Sequence, residues 1–521
     1  MQHFLLLLLI LSASIPTSLC AAKKKQTSYE LPSNAQSLYR TLDPKSLLQH
    51  LAFYELYPET EEGKKALNTA WQLLTGGESI EGEALLLPSL DVYAIIGLVT
   101  KQPTDEALEM SEEQLSILEK AAKRLENRKL DGFSVWTKEE VLKLPSDEID
   151  LGRSLLIYQF QNDVDAKKKI RNYEATMDLM ALQIAAHMKK SATAEEMIAE
   201  INQFIFRDMR FRFPPHSLYA KDIDLYTFLP SVLDSRQGVC LGVSTLYLCL
   251  AQRLGLELQI ITPPGHIFVS YQNGPQVINI ETTARGINMP SDTYLGMNTS
   301  YLQKRTMKEV IGMAFVNQAS TMIAKEDFSS AIELYETARD YVPNDPLLKM
   351  LLGIQYLFVG RKQEGEKLLK EIQGVTFDGA IVPETLPDDY LKGRVNAKGI
   401  QSVFMPVDET RESIIEKQKE LQALLKKYPK FRGGLLQLAT TYLQLGRTQE
   451  AYDVLLRYHK IDAGNPIVEY YLTIICLQRY DYMKAWSYFH STEKILSEAS
   501  HQPKALKSLK AALQRVCPSP Y

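Results

Sequence analysis

Three residues in the middle of the chain have the types and the spacing of a thiol-dependent acyl-transfer site. Cys240 begins an apolar stretch with helical spacing, His266 begins a predicted strand, and Glu281 ends the next predicted strand. Such chemistry needs a thiol nucleophile, an imidazole that acts as general base and a carboxylate that orients the imidazole. Cys240, His266 and Glu281 are therefore the candidate catalytic residues.

The strands that carry His266 and Glu281 are predicted to form one β-hairpin. Asn273-Gly274, between them, is the strongest short hairpin signal in the chain. A loop over 272–275 keeps a register in which His266 lies directly opposite Glu281 on one face of the hairpin. Because a slip of one residue would move one of the two side chains to the other face, this pairing is a specific prediction.

Cys240 is predicted to be the first residue of a helix that ends at Gly255, a natural C-terminal residue. The free N–H groups and the dipole of a helix N-terminus stabilise a thiolate, and the N–H of Cys240 supplies one donor of an oxyanion hole. The sequence identifies no second donor. A cysteine on the core side of a helix is more often a packing residue, and Cys249, on the opposite face, is given no catalytic role.

Motifs around these residues resemble the transglutaminase-like superfamily: Gly238-Val239-Cys240, Arg253-Leu254-Gly255-Leu256 and Gly265-His266. Others are similar to its SirB-type branch: Phe228-Leu229-Pro230, Arg236-Gln237-Gly238, Leu246-Tyr247-Leu248 and Pro264-Gly265-His266. The resemblance covers about 195–290 and implies a papain-like α+β domain with Cys240 as nucleophile, His266 as base and Glu281 as acid. The superfamily more often has aspartate at the last position, and some members of the branch lack the cysteine.

The C-terminal third has the spacing of tetratricopeptide repeats, which are helical hairpins of about 34 residues. Ala331 and Ala338 occupy two small-residue positions of one unit, and Ala451 and Ala485 are 34 residues apart. A segment that contains proline and glycine interrupts the array at 380–410, and its apolar residues predict that it packs on another part of the chain. Such arrays present a concave groove that binds peptide segments, although a purely structural array stays open.

The whole chain is predicted to be a multidomain, mainly α protein. With 521 residues it is too long for one ordinary core, and helical spacing dominates upstream of the thiol region. The predicted fold is a helical N-terminal region, an α+β papain-like or transglutaminase-like domain, and a C-terminal α-solenoid of tetratricopeptide repeats. The predicted divisions are a signal peptide at 1–22, the helical region at 23–190, the transglutaminase-like domain at 191–305, repeats at 306–379, an insertion at 380–410, and repeats with a capping helix at 411–521.

The first 22 residues have the features of an export signal. Phe4 to Leu11 is an apolar run too short to span a bilayer, and small residues follow as far as Cys20-Ala21-Ala22. We expect an exported protein that is periplasmic, envelope-associated or secreted. Lipidation at Cys20 and plain cleavage near Ala22 both stay open, and a lipid at Cys20 is the only predicted link to a membrane.

Charge and cysteine spacing argue against several other classes of protein. A net charge of −4 without a basic stripe argues against nucleic-acid binding. The few, widely spaced cysteines indicate neither a disulfide framework nor a zinc site. Since no calcium-loop pattern is present either, no metal and no cofactor is predicted.

Two hypotheses of function follow from these features. The first is an exported cysteine hydrolase or acyl-transferase that acts on amide bonds of protein or peptide substrates recruited at the groove of the repeats. The second is a non-catalytic adaptor with a relic thiol domain and protein-binding repeats. The sequence leaves open the substrate and whether water or an amine accepts the acyl group, so protease, amidase and transglutaminase are all compatible with it.

Overall fold

The computed structural model describes residues 32–77, 110–189, 191–214, 224–404 and 410–518. The predicted signal peptide at 1–22, with Cys20, lies outside these residues. Within them, 22 α-helices and a five-stranded antiparallel sheet confirm the multidomain, mainly α fold class. In this described part of the chain, no helix combines the length and the apolar character that crossing a membrane requires.

Helices α1 to α10 precede the sheet. Their bounds are α1 Pro32–Tyr39, α2 Leu47–Leu56, α3 Glu61–Thr75, α4 Glu112–Ala121, α5 Lys138–Lys143, α6 Leu151–Phe160, α7 Ala166–His187, α8 Ala194–Asn202, α9 Leu229–Ser235 and α10 Cys240–Leu254. Local capping fixes several of these starts. Before α8, Thr193 Oγ1 accepts from Glu196 N–H at 3.3 Å, and Glu196 Oε2 accepts from Thr193 N–H at 2.9 Å, which is a capping box.

The sheet follows α10 and packs against it. Its strands are β1 Gln259–Thr262, β2 Phe268–Asn273, β3 Gln276–Glu281, β4 Ile287–Asn288 and β5 Gln303–Arg305. All neighbouring strands are antiparallel, in the order β4-β3-β2-β1-β5. Ile260, Val269 and Ile280 are buried in the same core as the apolar side chains of α10, so one face of the sheet covers this helix.

The turn of the β2–β3 hairpin differs from the predicted one. Asn273 pairs with Gln276, so the tight loop is Gly274-Pro275 instead of 272–275. Gly274 adopts a φ of 57°, which a residue without a Cβ does at little cost. Pro275 lies in the loop, where its missing N–H removes no bond from the ladder.

The observed register therefore corrects the predicted position of His266. This residue precedes β2, which begins at Phe268, and extending the observed pairs places His266 opposite Thr283. The prediction that His266 lies directly opposite Glu281 is wrong by two positions. Because side chains alternate between the two faces of a sheet, a displacement of two leaves both residues on the same face.

The repeats follow β5. The helices of the region after β5 are α11 Met307–Ala324, α12 Phe328–Tyr341, α13 Pro346–Phe358, α14 Lys362–Glu371, α15 Leu386–Leu391 and α16 Ala397–Phe404 in the insertion, α17 Arg411–Lys427, α18 Arg432–Gln444, α19 Thr448–His459, α20 Pro466–Gln478, α21 Tyr482–Glu498 and the capping helix α22 Lys504–Val516. Helices α12 and α14 begin at Phe328 and Lys362, and α19 and α21 at Thr448 and Tyr482, which is 34 residues apart in both pairs. The repeat spacing is thus present in the helices themselves.

The predicted small positions of the repeats lie in helix contacts. Ala331, Ala338, Ala451 and Ala485 are fully buried. The insertion packs on another part of the chain, as predicted, because the N–H groups of its first residues bond to Asn298, upstream of β5. The predicted capping helix is present as α22.

The apolar cores connect the regions of the chain. The largest core extends from Leu47 to Tyr356 and joins the N-terminal helices, the sheet with α10, and the first repeats. A second core lies within the repeats and includes Leu386 and Ile400 of the insertion. A third core places Met297, upstream of β5, against the last repeat and α22. The repeats therefore contact the central domain at their start and again at their end.

Candidate active site

Cys240 is the first residue of α10, as predicted. Val239, just before it, has an extended backbone and no side chain that accepts a hydrogen bond, so the helix start has no side-chain cap. The first intrahelical bond runs from Val243 N–H to Val239 O at 3.0 Å. The N–H groups of Cys240, Leu241 and Gly242 precede this bond, at the end of the helix where backbone N–H groups bind anions.

The loop before Cys240 is fixed by a short parallel bridge. Arg212 N–H donates to Arg236 O at 3.1 Å, and Gly238 N–H donates to Arg212 O at 3.1 Å. These backbone bonds hold the approach to the helix start. The position of the thiol is set by the main chain on both sides of Cys240.

The structure brings the three predicted site residues together. Nε2 of His266 lies 2.7 Å from Oε2 of Glu281. The side chains of His266 and Glu281 are 24% and 7% exposed, so little water competes for this bond. The Cys240 side chain interacts with the same imidazole. Since Nε2 is bonded to the carboxylate, Nδ1 is the nitrogen that can exchange a proton with the thiol.

The imidazole is held in its protonated form. Burial lowers the pKa of His266, but its interactions with Cys240 and Glu281 outweigh burial and raise the pKa to about 9. An opposite charge nearby favours the charged form of a titratable group. At neutral pH His266 is therefore an imidazolium that can stabilise a thiolate and donate a proton.

Glu281 is fixed by more than its bond to His266. Thr283 donates to Oε1 through its backbone N–H at 3.1 Å and through its hydroxyl at 2.5 Å. The hydroxyl of Tyr294 donates to Oε2. Burial raises the pKa of Glu281, but the hydrogen bonds from His266, Thr283 and Tyr294 lower it to about 2. The carboxylate is therefore ionised and immobile around neutral pH.

Tyr294 is a member of the site that the sequence analysis missed. Its ring stacks on the imidazole of His266, with centroids 5.7 Å apart and planes at 21°. Burial and the bond to Glu281 both raise the pKa of Tyr294, so its hydroxyl stays a donor. Tyr294 lies in a turn after β4, and no local pattern links that turn to the hairpin.

A buried contact between hydroxyls braces α10 against the end of β3. Ser244 Oγ lies 2.9 Å from Thr282 Oγ1, and both residues are buried. Ser244 is one helical turn after Cys240, and Thr282 directly follows Glu281, so this contact restrains the distance between Cys240 and Glu281. A hydroxyl residue one turn after Cys240, within the apolar first half of the helix, was the signal in the sequence that could have indicated it.

The other cysteines that the structure describes do not interact with His266 or Glu281. Cys249 is fully buried, and burial raises the pKa of its thiol to about 12. Cys249, to which the sequence analysis gives no catalytic role, thus packs inside the core. Cys517, near the C-terminus, is half-buried. In the part of the chain that the structure describes, no group of histidine, cysteine, aspartate and glutamate has the arrangement of a metal site.

A comparison with protein families identifies the region that carries the site. Residues 171–311 match the transglutaminase-like superfamily. The match begins within α7, ends within α11, and includes Cys240, His266 and Glu281. The chain therefore contains a transglutaminase-like domain, which confirms the predicted resemblance at the level of the superfamily. Membership of the SirB-type branch, the domain boundaries and the catalytic roles of the three residues stay predictions.

Comparisons with solved structures find helical repeat proteins. The crystal structure of MamA is 15% identical over 35% of this chain and 96% of its own, with a TM-score of 0.20. A thermophilic tetratricopeptide repeat protein of Thermus thermophilus is 16% identical over 39% of this chain and 98% of its own, with a TM-score of 0.21. TM-scores this low carry no argument, so the repeat assignment depends on the helix spacing. No curated protein matches the chain.

Proposed function

We propose that the chain is a cysteine hydrolase or acyl-transferase that acts on amide bonds of protein or peptide substrates. The observation that carries this proposal is the interaction of one imidazole with both a helix-terminal thiol and a buried carboxylate. A packing cysteine needs neither a half-buried thiol nor a protonated histidine beside it. The order Cys240, His266, Glu281 is that of nucleophile, base and orienting acid.

In the first half of the proposed reaction, the Cys240 thiolate attacks the amide carbon, and an electron pair moves to the carbonyl oxygen. The oxyanion forms at the start of α10, where the N–H of Cys240 donates to it. The amine then leaves with the carbonyl electron pair restored, and it takes the proton from Nδ1 of His266. A thioester on Cys240 and a neutral imidazole remain.

In the second half, the neutral imidazole of His266 accepts a proton from the incoming nucleophile. Water yields a carboxylic acid, and a primary amine yields a new amide. Either attack expels the Cys240 thiolate and restores the imidazolium, so the site returns to its starting state. Glu281 holds the imidazole in one orientation throughout. Hydrolysis and transamidation thus share the same residues.

The chain combines a transglutaminase-like domain with helical repeats, and this combination indicates a role in protein interaction. Solenoid repeats bind peptide segments on their concave face. We propose that the repeats recruit the protein or peptide on which the site acts. The identity of that partner is open.

We further propose that the protein is exported, because of the apolar run and the small-residue exit within residues 1–22. An exported chain loses about the first 19 to 22 residues. Sequencing the mature N-terminus tests this proposal and separates lipidation at Cys20 from plain cleavage. An intact Met1 on protein from the cell envelope would contradict export.

Acetylation by p-nitrophenyl acetate tests the proposed chemistry without knowledge of the natural substrate. We expect an acetyl group on Cys240, located by peptide mass spectrometry, and a burst of p-nitrophenolate. His266→Ala should slow acetylation by about 100-fold or more, because general acid–base catalysis contributes that much. Deacetylation in the presence or absence of a primary amine then identifies the acyl acceptor.

The matched control for this experiment is Cys517→Ser, which removes the other half-buried thiol of the described chain. This variant should acetylate at the wild-type rate. Equal acetylation of Cys240 and Cys517 in the wild type, without an effect of His266→Ala, would contradict the proposal. The non-catalytic adaptor would then be the better account of the chain.

A further inference from the structure

A segment of the central domain lies within reach of both the candidate site and the repeats. It comprises residues 295–302, between the turn Ser291–Tyr294 and β5. We call this segment the strap. At its N-terminal end it is continuous with Tyr294, which contacts both His266 and Glu281. Along its length it bonds to the insertion and to the end of the repeat array.

The insertion binds the middle of the strap. Asn298 Oδ1 accepts from the N–H groups of Ile381 and Val382, both at 3.0 Å. Ser300 donates to Gly379 O through its N–H at 2.7 Å and through its hydroxyl at 3.1 Å. These contacts are specific, since they use a side-chain amide and a hydroxyl of the strap against backbone groups of the insertion.

The residue directly before the insertion, Gly379, must be a glycine for the chain to approach the strap here. Gly379 has a φ of 77°, and a Cβ at this position would lie 2.6 Å from Tyr301 O. A side chain is therefore excluded both by backbone conformation and by space. The chain at the start of the insertion is therefore fitted to the strap.

The end of the repeat array binds the beginning of the strap. Nε2 of His501, which lies between α21 and α22, donates to Gly296 O at 2.8 Å. The next residue, Met297, is 8% exposed and packs in one apolar core with Trp486 and Leu496 of α21. Gly296 is only two residues after Tyr294. Since consecutive Cα atoms are about 3.8 Å apart, the repeats hold the chain within about 8 Å of the tyrosine.

We infer that Tyr294 is a positioning residue for His266 and Glu281, and that the repeats keep it in place by binding the strap. This inference builds on the proposed function, because it concerns the same pair. Tyr294 restrains the pair twice, through its hydroxyl on the carboxylate and through its ring on the imidazole. The repeat array thereby takes part in the geometry of the site as well as in recruiting a partner.

The titration of His266, followed by NMR on the full chain with ¹³C-labelled histidine, tests this inference. Within the described residues, the titratable side chains that face the pair are Cys240 and Tyr294. If Tyr294 positions the pair, Tyr294→Phe loosens the bond between imidazole and carboxylate, and the pKa of His266 falls by about 1 unit or more, a tenfold change in proton affinity. If the hydroxyl of Tyr294 only competes with His266 as a donor to Glu281, the same variant instead raises the pKa of His266.

A second variant tests the role of the strap independently of the Tyr294 hydroxyl. The double variant Asn298→Ala/His501→Ala keeps Tyr294 but removes the Asn298 bonds to the insertion and the His501 bond to Gly296 at the array end. We expect the pKa of His266 to fall in this variant as well. The control is Lys510→Ala, which breaks an exposed ion pair with Glu493 next to the third core and should leave the titration unchanged.

A rise of the pKa of His266 in Tyr294→Phe would overturn the positioning role. If the titration of His266 is unchanged in the double variant, and circular dichroism verifies its folding, the repeats do not keep Tyr294 in place. The NMR titration does not require activity. If p-nitrophenyl acetate fails to acetylate Cys240 but the titration moves as expected, the proposed function fails and the positioning inference stands.

Discussion

Glu281 reaches His266 diagonally across the hairpin instead of from the facing position. The observed register puts Thr283 opposite His266, and Glu281 is two residues away from it on the same face. Diagonal neighbours in a sheet are about 7–8 Å apart, within reach of long side chains. The extra methylene of glutamate therefore suits this geometry, which gives a physical reason for its presence where the superfamily more often has aspartate.

The ion pair makes stability depend on pH in a predictable direction. The pKa of His266 is raised from 6.5 to about 9, so its contribution is fully present below pH 6.5 and is lost as the pH rises through about 9. The pKa of Glu281 is lowered from 4.5 to about 2, so its contribution is present above pH 4.5 and is lost as the pH falls through about 2. The pair therefore stabilises the fold most between pH 4.5 and pH 6.5, where both contributions are fully present.

We predict that Glu281→Gln lowers the apparent free energy of unfolding by about 1.5–3 kcal/mol near pH 6, since this is the range for hydrogen bonds to charged groups. The difference from the wild type should shrink toward pH 10 as His266 loses its proton. Urea denaturation as a function of pH measures both. The control is the exposed Glu498, whose substitution Glu498→Gln should have no such pH dependence. A constant difference across the pH range would show that the glutamate acts only through packing.

At the scale of elements, the sequence predicts the parts of the site that depend on local chemistry. Helix α10 starts at Cys240 and ends before Gly255, as its local sequence predicts. Gly255 has a φ of 74°, which suits a glycine at the end of a helix. The hairpin follows from Asn273-Gly274. Its register does not, because the turn could form one residue further along and place Pro275 in the loop.

The contacts that the sequence does not predict are tertiary. Ser244 meets Thr282 only when α10 packs on the end of β3. Tyr294 reaches Glu281 only because the chain turns back after β4, and this turn has no periodicity that a sequence pattern could reveal. Local signals specify each strand and helix, whereas the packing of elements decides which side chains complete the site.

The helix contacts of the repeats can be tested at their small positions. Ala451 and Ala485 are fully buried between helices, and overpacking a core costs about 1–3 kcal/mol. We predict that Ala451→Phe and Ala485→Phe each lower the midpoint of thermal unfolding. The matched control is Ala423→Phe on the exposed face of α17, which should leave the midpoint unchanged. If both buried substitutions are as harmless as the control, the assignment of these positions to helix contacts is wrong.

At the scale of the whole molecule, the repeats and the central domain form a connected structure. The largest core extends from Leu47 to Tyr356 and so passes through the predicted divisions at 190 and 305. The third core and the strap join the end of the array back to the central domain. Periodicity along the chain indicates each region, but it contains no information about this return contact.

We propose that His266 activates Cys240 as a nucleophile in the whole folded chain. The most direct measurement is the rate of iodoacetamide alkylation at neutral pH, read at each cysteine by mass spectrometry, with Cys517 as the half-buried reference. An ordinary thiol is only a few per cent thiolate at pH 7. If His266 activates Cys240, alkylation of Cys240 should therefore be about tenfold faster or more than alkylation of Cys517. His266→Ala should abolish this advantage. Equal rates at Cys240 and Cys517, or a Cys240 rate that His266→Ala leaves unchanged, would contradict the claim.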